Sequence, residues 1–192
     1  AVPSRQPVVS TTCGAPRVTP RYPSHVRLPY DSPVQTVGGR YAIEGALARG
    51  DGRVFRARHL QLDKPFALEV IAPALARNEA ARTRFLRDAR LASDLSHPNL
   101  VAVVDFGEDA VAGPYLVTEL VEGAPLFGPG VAPCSPRRAF DMLTQLAGGL
   151  EQLHRRGLIH GDLTADRVVT TSEPDGDRVR TVARLADLGV GT

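Results

Sequence analysis

The sequence predicts an α+β fold, an antiparallel sheet carrying one helix followed by a second part built on a longer helix. Three observations point there. Short apolar runs bounded by Gly/Asp turns recur as strands, first at 41–47, 53–59 and 66–72. Apolar residues at helical spacing appear twice, near 79–95 and over 136–156. These patterns follow one order: three strands, a helix, two strands, a long helix and a small hairpin, with no internal repeat.

Each element has its own signals. Asn78 is placed to cap the first helix, whose apolar stripe is Phe85, Leu86, Ala89, Leu91 and Ala92, and His97-Pro98 ends it. Strands at 100–107 and 113–120 flank a turn at 108–112. Ser135 followed by Pro136 is a good helix start, a capping hydroxyl and then a residue whose missing N–H costs nothing there. Phe140, Leu143, Ala147, Leu150 and His154 then recur at helical spacing up to Gly157. Apolar pieces at 158–159, 168–171 and 182–185 complete the chain. Residues 1–38 differ from all of this. Seven prolines interrupt the segment, no apolar periodicity survives, and it reads as a disordered tail or linker. A polyproline partner site there stays open.

Composition narrows the class. With 192 residues, 43% apolar, the chain is long enough for a real core. A net charge of +2 gives no electrostatic ground for binding nucleic acid. The basic residues are 22 arginines and one lysine, Lys64. Cys13 and Cys134 lie far apart without metal-ligand spacing, so a free-thiol, cytoplasmic protein is expected, with a pairing between them left open. No apolar run approaches the ~20 residues of a membrane span, and the first residues lack a secretory leader.

The order and its punctuation resemble the protein kinase fold, most closely the bacterial serine/threonine type. The likeness runs from about Tyr41 to Thr192. It rests on Gly50-Asp51-Gly52-Arg53-Val54, Phe66-Ala67-Leu68-Glu69-Val70, and Arg84-Phe85-Leu86-Arg87-Asp88-Ala89-Arg90. It continues through His97-Pro98-Asn99-Leu100-Val101, Tyr115-Leu116-Val117-Thr118-Glu119-Leu120, His160-Gly161-Asp162-Leu163 and Asp187-Leu188-Gly189. The resemblance implies a two-lobe fold. Residues 39–121 would form an N-lobe of antiparallel sheet plus one helix, and 122–192 an incomplete C-lobe, the chain stopping soon after the metal-binding loop. It also implies ATP and Mg²⁺ as cofactors, and a protein as substrate or partner.

Phosphoryl transfer depends on charge placed around the phosphates and on a base for the acceptor hydroxyl. The resemblance assigns the nucleotide site to Ala48, Gly50, Gly52, Val54, Ala67, Glu69, Glu119 and Val121, the base to Asp162 and the metal ligand to Asp187. Several of these depart from the family pattern. Ala48 stands for the first glycine, the glycine turn is one residue short, and Asp51 puts negative charge at its tip. Glu69 occupies the place of the strand lysine, which inverts the sign of the contact with phosphate. Asp88 takes the place of the helix glutamate, so two acids would face each other unless an arginine or a metal lies between them. Arg49 and Arg53 are the arginines placed to substitute for the lysine.

In the catalytic loop, Gly161 replaces the usual arginine and Thr164 the lysine. Arg167 replaces the asparagine that would ligate the second metal, and a guanidinium has no acceptor to offer one. It could meet phosphate instead. Asp162 is either the base or only a hydrogen-bonding loop residue. His160 reads as scaffold, Leu188 as a mild change from phenylalanine, and Thr118 as the small residue behind the adenine pocket.

These losses point to a pseudokinase that works by binding and signalling. The alternative is an active atypical serine/threonine kinase transferring the ATP γ-phosphate to protein hydroxyls. Small-molecule phosphotransferases, which often show His-Gly-Asp, rank last, because they too expect the asparagine and lack the fit at His97-Pro98-Asn99. Without the rest of the C-lobe, the apolar face of the long helix is expected to be partly exposed.

Overall fold

The computed structural model describes residues 36–47, 53–126, 134–176, 178–186, 188 and 190. Six strands form one antiparallel sheet: β1 (Thr36–Val37), β2 (Tyr41–Ala46), β3 (Val54–His59), β4 (Lys64–Val70), β5 (Val103–Asp109) and β6 (Gly113–Glu119). Their order across the sheet is β1-β2-β3-β4-β6-β5. Alternation along β6 sorts its side chains between two cores. Tyr115 and Val117 turn inward with Val37, Tyr41, Ala57 and Leu68, whereas Leu116 joins the helices. Tyr41 centres the first core, its ring meeting those of His59, Phe66 and Tyr115 edge-on at 5.1, 6.2 and 6.3 Å.

The two edges of this sheet are tied to each other. Gly38 donates its N–H to Asp109 Oδ2 at 2.9 Å, and the Tyr41 hydroxyl donates to Asp105 at 2.7 Å. Arg40 pairs with Asp105 at 3.0 Å. Gly38 has φ +59°, and a Cβ there would collide with the Tyr115 hydroxyl, so both conformation and space require glycine. This corrects the sequence boundary: Thr36–Val37 is a strand with Val37 buried, although 36–38 read as tail. The prolines end at Pro33, and a two-residue strand is too short to show periodicity.

Pro73 opens a short helix, α1 (Pro73–Ala76), in the stretch between the strand at 66–72 and the Asn78 cap to which the sequence assigned no element. Asn78 then caps α2 (Glu79–Ser93) by accepting from the Ala81 N–H at 3.2 Å. Phe85, Ala89 and Ala92 are its buried face. The stretch 100–102, expected as strand, instead crosses to the second sheet through a parallel bridge between Leu100 and Leu185.

The second sheet is three-stranded: β7 (Ala124–Pro125), β8 (Val168–Asp175) and β9 (Arg178–Leu185), in that order. It packs against α3 (Pro136–Arg155), capped by the Ser135 hydroxyl accepting from Arg138 N–H. Gly157, at φ +74°, closes α3. It donates to His154 O while Leu158 donates to Leu153 O, a Schellman motif sealed by buried Leu153 and Leu158. The buried side of α3 carries Met142, Leu146, Gly149 and Leu153. The stripe read from the sequence lies on another side, with Phe140 70% and Leu143 63% exposed. Helical spacing fits both series equally, and only the neighbours decide which is covered. Among the described residues no helix is long and apolar enough to cross a membrane.

Asn99 and Gln145 join the lobes. Buried Asn99 donates to Gln145 Oε1 at 3.0 Å and to Ala183 O at 2.8 Å. Gln145 donates to Thr181 O and accepts the Ala183 N–H, both at 3.0 Å. One side chain of α3 thereby fixes the loop after α2 to β9, the strand leading into 186–190.

Candidate functional site

β4 carries two of the positions expected at the nucleotide site, Ala67 and Glu69. Register places Ala67 opposite Arg56 and Thr118, and Glu69 opposite Val54 and Leu116. Ala67 and Glu69, two residues apart, therefore share a face with Val54 and Thr118. Ala67 and Thr118 are each 6% exposed, and Val54 and Glu69 are half-buried. Leu47 N–H donates to Val54 O at 2.8 Å, pinching the base of the turn that precedes β3. Ala48, Gly50 and Gly52 of that turn, with Arg49 and Asp51, lie outside the described residues. Arg53 stands just before β3, its carbonyl accepting from Val70 N–H. Lys64 begins β4 and is exposed.

The connector between the lobes leaves β6 at Glu119. Glu119 donates its N–H to Ala102 O at 2.9 Å, and its carboxylate accepts the Ala102 N–H at the same distance. Arg184 on β9 reaches that carboxylate at 3.5 Å and Glu173 of β8 at 3.1 Å. Val121 is half-buried against the larger core. Arg56 extends from β3 to Glu122 at 3.7 Å while pairing with Glu44 at 2.9 Å. Arg56 and Arg58 together hold the Glu44 carboxyl below its ordinary range, Arg58 having the larger effect.

On α2, Asp88 is held by its neighbour Arg87, whose Nε and Nη2 donate to Oδ1 at 3.0 and 2.9 Å. The sequence reading left room for an arginine between two facing acids. The arginine on Asp88 comes from its own helix.

The loop 158–164 carries the remaining chemistry. His160 is buried at 3% exposure, which fits a scaffold role. Gly161 has φ +72°, and Asp162 N–H donates back to His160 O at 2.8 Å, the γ-turn of positive φ that only glycine enters without strain. Asp162 projects from this turn, half exposed, and its Oδ2 lies 2.6 Å from Arg167 Nη2. Arg167 ends a 3-10 turn (Ala165–Arg167), with its side chain only 13% exposed. Its backbone is fixed at both ends, N–H to Thr164 O and carbonyl to Ala186 N–H. Asp187 and Gly189 lie outside the described residues; Leu188 is buried between them.

This arrangement does not fit the groups that the fold implies. Glu69 is a half-buried carboxylate at the position on β4 where the resemblance expects a lysine. The guanidinium at Arg167, at the position where the resemblance expects the asparagine ligand of a second Mg²⁺, has no lone pair to offer a metal. Asp162, expected as either the base or a loop residue, pairs with that guanidinium. Among the described residues no group of three His, Cys, Asp or Glu side chains could hold a metal. The pair Asp162–Arg167 escaped the sequence reading, which gave each residue a separate fate. So did Gln145 and Arg184, which no local pattern marks.

Comparison with known proteins agrees with the geometry. Residues 41–192 match the protein kinase domain. Serine/threonine-protein kinase pkn2 of Myxococcus xanthus is 37% identical over 156 residues, covering 79% of this chain and 18% of that protein. Serine/threonine-protein kinase PknL of Mycobacterium tuberculosis is 35% identical over 154 residues, 79% of this chain and 37% of that protein. The chain thus spans less than two-fifths of these relatives. The PknI kinase domain of Mycobacterium tuberculosis superposes with a TM-score of 0.60 at 31% identity, covering 81% of this chain and 62% of that one. With sheet, helix and catalytic loop in the expected order, the described elements supply an N-lobe and part of a C-lobe, and the chain belongs to the protein kinase family.

Proposed function

We propose that this domain is a pseudokinase, a kinase-shaped signalling module that binds a protein partner and transfers phosphate weakly or not at all. The observation that carries the reading is the 2.6 Å ion pair between Arg167 and Asp162. A base must accept a hydroxyl proton, and a carboxylate bound to a permanent cation is a poorer acceptor with one oxygen occupied. The same arginine removes a metal ligand, and Glu69 reverses the charge on the opposite wall. Single losses at such positions cost orders of magnitude in rate, and here they coincide in one cleft.

Labelled phosphate transfer tests it. With Mg²⁺ and γ-labelled ATP, incorporation into a generic serine/threonine protein substrate is expected to equal that of Asp162→Asn. Mg²⁺-dependent incorporation that Asp162→Asn abolishes would overturn the proposal and favour an active atypical kinase.

A further inference from the structure

The hairpin of β8 and β9 has two edges, and the chain treats them differently. Pairing runs without a shift from Val168↔Leu185 to Asp175↔Arg178. In such a ladder successive residues turn both backbone groups alternately toward the partner strand and away from it. On β9 the residues turned away are identified by their contacts. Leu185 donates to Asn99 O and accepts from Val101 N–H, and Ala183 donates to Gln145 Oε1 and accepts from the Asn99 amide. The Thr181 carbonyl accepts from Gln145. By the same alternation, the Thr181 N–H and both backbone groups of Val179 point away from β8. Among the described residues nothing meets these groups. The other edge is blunted: β7 covers Val169 and Thr170, and Pro174 brings no N–H.

Side chains set what an added strand should carry. Val179 is 74% exposed. Arg180 is exposed and has no ion pair among the described residues, while Glu173, directly across from it on β8, is held by Arg184 at 3.1 Å. A second copy of this chain fits poorly. Paired antiparallel about Val179, it would bring position 180 against the arginine at 178, and like charges directly opposite repel. We infer that the β9 edge at 179–181 is a docking site for an extended segment of a protein partner, added as a strand, with an acidic residue opposite Arg180. This edge carries none of the residues assigned to phosphate transfer, so the inference stands whether or not transfer occurs.

Amide NMR of the full 192-residue chain is the test, titrated with the peptides Thr-Val-Glu-Val-Thr and Thr-Val-Lys-Val-Thr. The glutamate peptide should shift the Val179 and Thr181 amide resonances saturably and slow their hydrogen exchange. The lysine peptide should bind about threefold more weakly. Arg180→Glu should reverse that preference. Val179→Pro, which removes an outward N–H from an edge strand, should abolish binding of both peptides while the rest of the spectrum is kept. No saturable shift, shifts centred elsewhere, or equal binding of the two peptides overturns the inference. So does a concentration-dependent dimer that protects the same amides without peptide.

Discussion

Asp162 and Gly161 show how much depends on single residues. Gly161 at φ +72° lets the loop reverse so that Asp162 meets Arg167. A side chain there would be forced into left-handed backbone, costing about 1–2 kcal/mol. Gly161→Arg, which restores the residue usual in the family, should therefore lower the urea unfolding free energy by about that amount. Gly161→Ala should cost nearly the same, since the penalty is conformational. Asp109 makes a second residue-scale prediction. Its carboxylate accepts N–H groups from Ala112, Val111 and Gly38, which hold its pKa below the ordinary value against the opposing effect of burial. A depressed folded-state pKa stabilises fully above the unfolded value near 4 and is lost as pH falls through the folded value. Wild type should thus lose stability between about pH 5 and pH 3 more steeply than Asp109→Asn, as measured by chemical denaturation.

At the scale of elements, α3 and β9 depend on a polar side chain that sequence patterning cannot flag. Gln145 satisfies Asn99, the Ala183 N–H and the Thr181 carbonyl. Gln145→Leu would leave these buried groups without it and should destabilise by about 3 kcal/mol, since each orphaned group costs about 1–3. The unfolding midpoint in urea checks this. Legibility followed the range of the forces involved. Asn78 and Ser135 were readable as caps, and Gly157 as a stop, because each acts on backbone within a few residues. Most strands were readable too, since alternation and turn chemistry are local. The face of α3 was not, because a helix with apolar residues on two sides is resolved only by what packs on it. Nor was β1, whose two residues pair with Ala42 and Tyr41 and are too few to show alternation. At the site, the replacement of cations and metal ligands was legible from the resemblance, but the Asp162–Arg167 pairing needed three-dimensional placement.

For the whole molecule, two features stand out: arginines Arg167 and Arg184 paired with carboxylates beside the catalytic loop, and an apolar outer surface on α3. Phe140 and Leu143 are largely exposed, and Ile159 beside the catalytic loop is 76% exposed. Replacing side chains already in water changes stability little. Phe140→Ser with Leu143→Ser should shift the unfolding free energy by less than about 0.5 kcal/mol each while reducing self-association in light scattering. A large loss of stability would show that this face is covered. Leu146→Ala, on the buried side of the same helix, should cost about 2–5 kcal/mol.

The central claim is that a guanidinium stands where a metal ion would have to be held. The Mg²⁺ dependence of binding of a non-hydrolysable ATP analogue probes it most directly, in wild type and in Arg167→Asn. The account predicts that Mg²⁺ leaves the wild-type affinity unchanged within twofold and strengthens that of Arg167→Asn. A tenfold gain with Mg²⁺ in the wild-type chain would contradict it.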